Sequence, residues 1–126
     1  FHLPYWIISG NKDLKKSFLC ALCDDELSSF NKDKKGYFYP LRLKFNKNEK
    51  LINSGIKFLE EIKQLFEDLD VQCSNIKINN SRFINKYGEI NRSLYFNISA
   101  RRYNLNKFAR NVGFNYEIAK YKDFKL

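Results

Sequence analysis

The sequence predicts an α+β domain in the order α-β-β-α-β-β-α, with a four-stranded antiparallel sheet and the helices gathered on one of its faces. Three observations predict it. Several stretches alternate apolar and polar residues with a period of two, whereas others repeat their apolar residues at helical spacing. Hydrophobic residues make up 44% of the 126, with 12 Phe and 8 Tyr, enough to core one domain without disulfides or a structural metal.

The elements follow in order. Residues 1–10 hold Pro4, Tyr5, Trp6, Ile7 and Ile8, an apolar lead-in expected to pack on the core as one short helical turn. Asn11 or Asp13 can cap the next helix, which runs from Leu14 to Leu27 with Leu14, Phe18, Ala21, Leu22 and Asp25 along one stripe. Its last turn carries Asp24, Asp25 and Glu26, at the end where the backbone already bears about half a negative charge. Either these acids are simply solvated, or a positive partner offsets them, such as a divalent cation that takes carboxylate and carbonyl oxygens.

Leu27 to Asn31 reads as a short first strand, followed by a polar turn ending at Gly36. The second strand, Tyr37 to Asn46, points Leu41, Leu43 and Phe45 one way and Arg42, Lys44 and Asn46 the other. Pro40 marks an unpaired or bulged position in it. The clearest helix spans Asn48 to Asp70, with Asn48 as cap and Leu51, Gly55, Phe58, Ile62, Leu65 and Leu69 on its buried face. A third strand, Gln72 to Asn80, is expected to bury Ile76 and Ile78 and to expose Asn75, Lys77 and Asn79. After a loop with Gly88, the fourth strand, Asn91 to Ala100, buries Leu94, Phe96 and Ile98 and exposes Ser93, Tyr95, Asn97 and Ser99. A helix from Asn104 to Val112, stopped at Gly113, and a last turn or helix over Tyr116 to Phe124 complete the order.

Charge is unevenly spread. The net formal charge is +9, but residues 48–70 carry −3, which leaves +12 for the rest. The three longer predicted strands contain no Asp or Glu, and their outward positions offer cations, amides and hydroxyls. Phosphate contact and base-edge hydrogen bonding use such groups. The residues expected to bind nucleic acid are therefore Arg42, Lys44, Asn46, Asn75, Lys77, Asn79, Tyr95 and Asn97, with Arg101 just beyond the fourth strand.

Three cysteines and no secretory segment point to a reducing, intracellular setting, with Cys20, Cys23 and Cys73 as small core or interface residues. His2 is the only histidine, so a mechanism built on a histidine base or a histidine-rich zinc site is disfavoured. No run of about 18 apolar residues is present to span a membrane. The chain opens on Phe1 and is expected to be part of a longer protein.

The stretch Leu19-Cys20-Ala21-Leu22-Cys23-Asp24-Asp25-Glu26-Leu27 resembles the nine-residue signature of the LAGLIDADG homing endonuclease family. Leu19, Leu22 and Asp24 match identically, and Glu26 is a conservative match for the metal-binding acid. The resemblance extends over most of the chain, from Leu3 to Lys122. It implies two signature helices side by side, from a homodimer or from a second such domain, with both sheets forming a saddle on the major groove of double-stranded DNA. Glu26 would then bind Mg²⁺ with the backbone carbonyl of Asp25, Lys120 would assist catalysis, and Cys20, Ala21 and Asp24 would lie between the paired helices. The implied reaction is metal-assisted phosphodiester hydrolysis. Leu27 departs from the family, which has Gly there. That departure keeps a second expectation open, a non-cutting domain of the same fold that binds DNA or RNA as a regulator or splicing factor. A protein-interaction module with an acidic partner is the third.

Overall fold

The computed structural model describes residues 2–27 and 30–114. Its elements are α1 (Tyr5–Ile8), α2 (Lys12–Glu26), β1 (Leu41–Asn48), a 3-10 turn (Glu49–Leu51), α3 (Ile52–Asp68), β2 (Lys77–Ile84), β3 (Ile90–Ile98) and α4 (Arg102–Asn111). The class is the expected mixture of helices with an antiparallel sheet. Among the described residues the sheet has three strands rather than four, ordered β1-β3-β2 with β3 central.

The missing strand has local causes. Leu27 caps α2 in an extended conformation and is buried, and Phe30 is buried in the aromatic core. From there the chain forms a single antiparallel bridge, Lys32 with Phe38, around a turn closed by Asp33. Pro40, which has no N–H to donate, separates this small hairpin from β1, so the predicted second strand is split there. The predicted final turn or helix over Tyr116 to Phe124 lies outside the described residues.

One face of the sheet is the floor of the core. Leu41, Leu43, Leu94, Phe96 and Ile98 point into it, as the alternation predicts, and meet Leu19 and Cys23 of α2, Leu59, Ile62, Leu65 and Phe66 of α3, and Leu105 and Phe108 of α4. Edge-on aromatic contacts join the layers, with Phe66 to Phe96 at 6.0 Å and Phe30 to Phe108 and Phe114 at 5.9 Å each. Helix α3 comes close to the strands at Gly55, where an added Cβ would stand 2.6 Å from Leu94 Cδ1 and 3.0 Å from Lys47 Cγ.

Caps form where the sequence places them. Asn11 Oδ1 accepts a hydrogen bond from Leu14 N at 2.9 Å, and Asn48 Oδ1 one from Lys50 N at 2.9 Å. The lead-in is anchored through Leu3 and Ile7, both buried, and through Leu3 N, which donates to Glu61 Oε2 at 2.8 Å. Tyr5 and Trp6 of α1 stand outside the core, contrary to the expectation of a packed lead-in.

Two further expectations need correcting. Helix α2 buries Leu19, Cys20, Cys23 and Asp24, whereas Ala21 and Asp25 of the predicted stripe are exposed and Leu14, Phe18 and Leu22 are only half-buried. The helix is thus turned about its axis by roughly one residue, about 100°. The apolar residues Leu19, Cys23 and Leu27 form an equally good stripe, and packing selects it. Ile78 and Leu51 are exposed rather than buried, and so is every residue of β2. Among the described residues no helix is long and apolar enough to cross a membrane.

Candidate functional site

Among the described residues no helix lies on the opposite face of the sheet. Register fixes which side chains share it: Arg42 stands opposite Asn97, Lys44 opposite Tyr95, and Asn46 opposite Ser93. On the other side of the central strand, Lys77 stands opposite Tyr95 and Phe83 opposite Asn91. One row across the sheet therefore reads Lys44, Tyr95, Lys77. Strands lie about 4.8 Å apart, so its two cations flank the tyrosine about 10 Å from each other, comparable with the ~12 Å width of the B-DNA major groove.

The next row is organised by Arg42. Its guanidinium lies 4.0 Å from the centroid of the Tyr95 ring, and its Nε donates to Asn97 Oδ1 at 3.0 Å. Stacking and a hydrogen bond fix the plane of the fork while its other N–H groups stay available, the geometry suited to a phosphate or the edge of guanine. Asn97 is held in turn, since its N–H donates to Ser74 Oγ at 2.9 Å and its carbonyl accepts from Ser74 N at 2.8 Å. In the third row Ser93 Oγ donates to Asn46 Oδ1 at 2.8 Å.

The three strands as they stand contain Arg42, Lys44, Lys47, Lys77, Arg82 and Arg92 and no Asp or Glu. Among the described residues no ion pair engages Arg42, Lys44, Lys77 or Arg101. Arg82 instead pairs with Glu49 at 3.1 Å.

Of the residues selected from sequence, Arg42, Lys44, Asn46, Lys77, Tyr95 and Asn97 come together on this face. Asn75 is exposed in the segment before β2. Asn79 lies in a bulge between Ile78 and Arg82, where its Oδ1 accepts from Ser81 N at 3.0 Å, so the simple alternation fails there. Arg101 is exposed at the N-terminal cap of α4. Phe83 belongs to the face and was missed, because the third strand predicted from sequence ends at Asn80 whereas β2 runs on to Ile84.

The acids ending α2 do not converge. Asp24 is buried and engaged within the protein, while Asp25 and Glu26 are exposed. Among the described residues no three His, Cys, Asp or Glu side chains stand together where they could hold a metal ion. Lys120 lies outside the described residues. Of the residues expected between paired helices, Ala21 is exposed, whereas Cys20 and Asp24 are buried within the chain.

Burial holds Cys20 and Cys73 in the thiol form. Burial pushes the Cys73 thiol up to about 12, with Glu67 adding to it. Burial also raises Cys20, helped by Asp24 and opposed by Lys16. Both stay protonated at neutral pH, and a thiol is a poor nucleophile and metal ligand.

No protein-family model matches the chain, and no curated protein or solved structure matches it.

Proposed function

We propose that the domain binds double-stranded nucleic acid, DNA first and RNA as the alternative, through the uncovered face of its sheet. The observation that carries this reading is the carboxylate-free set of Arg42, Lys44 and Lys77 that shares this face with Asn46, Tyr95 and Asn97, ordered around the Arg42–Tyr95 stack. A face merely exposed to water mixes both signs, whereas a polyanion requires one. The Lys44, Tyr95, Lys77 row supplies phosphate contacts on either side of a flat ring, and Arg42 with Asn97 supplies oriented donors for base edges.

Titration of a fluorescent duplex at several salt concentrations tests it. Log affinity should fall linearly with log salt, by about 0.9 for each phosphate neutralised. Lys44→Ala and Lys77→Ala should each flatten that slope by about one contact, equally on every sequence. Absence of salt-dependent binding to duplex DNA and duplex RNA overturns the proposal and favours an acidic protein partner.

A second reading, DNA cleavage, is favoured by the exposure of Asp25 and Glu26 at the end of α2. It calls for a second domain or a second copy of the chain, because the described residues of one chain bring no three such ligands together. On this reading Glu26→Gln abolishes nicking in the presence of Mg²⁺ and leaves duplex affinity unchanged. Binding without nicking by the unaltered protein leaves the regulator.

A further inference from the structure

The helices leave part of their own side of the sheet bare. Register puts Phe45, Leu94 and Ile78 in one row on that side, Lys47, Arg92 and Arg82 in the next, and Ile90 with Ile84 in a third. Cover ends within the first row, where Leu94 is fully buried and Ile78 is exposed. In the third row Ile90 is 40% and Ile84 73% exposed. Apolar surface left open beside a core calls for a partner.

The middle row gives that partner its chemistry. Neighbouring strands lie about 4.8 Å apart, so three cations stand within about 10 Å of one another, and like charges directly opposite on a sheet repel. Glu49 answers Arg82, at 3.1 Å. Among the described residues no ion pair engages Arg92, and its Nε is shut off from solvent without a hydrogen-bond acceptor. Residues 47–50 and 82–92 together hold Lys47, Lys50, Arg82, Lys86 and Arg92 against Glu49 and Glu89. Both acids are engaged, Glu49 with Arg82 and Glu89 with the Asn48 amide, which donates to its carboxylate.

The row lies in an angle of the surface. Helix α3 stands over Lys47, since a Cβ added at Gly55 would come within 3.0 Å of Lys47 Cγ. Further along, a cavity of about 470 Å³ opens between the 3-10 turn and the end of the hairpin, where Lys50 and Ile90 are among its lining residues. A flat bilayer does not enter an angle bounded by a helix, and two copies meeting through the same strip would oppose their cations. A helix laid beside α3 fits, because it continues the helical layer that covers the rest of this side.

We infer that this strip docks an acidic amphipathic helix of another protein. Rows on one side of a sheet recur every two residues, about 6.8 Å, and residues i and i+4 of a helix are about 6 Å apart. A helix running along the strands therefore meets the three rows with an apolar residue, an acid and an apolar residue at i, i+4 and i+8. The acid is received by Arg92, whose fork matches a carboxylate, and the apolar residues close over Ile78, Ile84 and Ile90. The strip faces away from the proposed nucleic-acid surface and does not rest on that reading.

Selection of displayed random peptides about four helical turns long, made on the intact protein, tests this. Enriched peptides should carry an acid flanked by apolar residues four positions to either side. The tightest of them, synthesised, should lose affinity about ten-fold or more on Ile84→Ser and on Arg92→Glu, and changing its acid to Lys should restore binding to Arg92→Glu. Ile84→Ser removes an exposed side chain and should keep the thermal melt, so it decides the matter should Arg92→Glu fail to fold. Peptides without the pattern overturn the inference, as do equal binding to Ile84→Ser and a selection that yields no binder. Two companion measurements address the other occupants. Co-sedimentation with phosphatidylserine vesicles that Ile84→Ser abolishes assigns the strip to a membrane, and a dimer that Ile84→Ser dissolves assigns it to a second copy; either result overturns the inference.

Discussion

The two ends of the same sheet are built for opposite purposes. At the end where Leu41 pairs with Ile98, the strands lie beneath α2, α3 and α4, and Leu41, Leu43, Phe96 and Ile98 are all buried. At the end where Asn48 pairs with Asn91, the cover stops and β2 is exposed along its whole length. Strand β3 belongs to both. Stability is thereby concentrated in one half of the molecule, and the other half is free to carry charge and apolar side chains that a core would reject.

That division can be broken most forcefully at Phe96. It is fully buried against Phe66, and Phe96→Ala should cost about 3–5 kcal/mol, seen as a lower urea midpoint at unchanged slope. Tyr87→Ser at the exposed tip of the β2–β3 hairpin, in contrast, should leave the midpoint where it is. A comparable loss from the tip would show that the uncovered half is part of the core.

Gly55→Ala sharpens the same contrast at the border. The new methyl would meet Leu94 and Lys47, which must shift, and overpacking of this kind costs about 1–3 kcal/mol. Lys47 can yield because its stem is flexible, but the closer clash is with Leu94, which is fixed in the core, so most of the cost falls there. Loss of less than half a kcal/mol in urea unfolding would mean that α3 sits less tightly on the sheet than the distances imply.

The smallest effect comes from the polar fastening of the covered half. Burial opposes ionisation of Asp68, but the hydrogen bond from Gln64 and the ion pair with Lys15, both at 2.9 Å, outweigh it and hold the carboxyl below its ordinary 3.8. A carboxyl with a lowered folded-state pKa stabilises the protein above its unfolded value and loses that contribution as pH falls through the folded one. Stability should therefore decline below about pH 4 less steeply in Asp68→Asn than in the unaltered protein. Parallel declines in urea midpoint from pH 5 to pH 2 would remove Asp68 from the account. Glu61 is lowered in the same sense: burial opposes ionisation, and the hydrogen bonds from Leu3 N and His2 prevail.

How much of this was legible in the chain depends on whether the signal is local. Asn11 and Asn48 cap because a short polar side chain reaches its own backbone, and no distant contact is needed. The alternation over residues 41–46 and 91–98 assigned Arg42, Lys44, Tyr95 and Asn97 to one face because successive residues of a strand point to opposite sides. The assignment failed at Asn79, which sits in a bulge that the sequence Asn79-Asn80-Ser81 gives no clear sign of, and it never reached Phe83, because the predicted strand stopped at Asn80. It failed in α2 as well, since Leu14, Phe18 and Ala21 and the alternative Leu19, Cys23 and Leu27 are both sound apolar stripes.

By itself, the sequence determined the class of the fold, the helix starts and the segregation of acid from the strands, all properties that neighbouring residues or simple composition fix. Only the tertiary structure decided how far the helices reach over the sheet, which way α2 is turned, and that Asp24 faces inward while Glu26 does not. Those outcomes depend on which apolar surfaces meet across many residues of chain. An isoleucine in a strand reads the same whether a helix covers it, as at Ile98, or leaves it in water, as at Ile84.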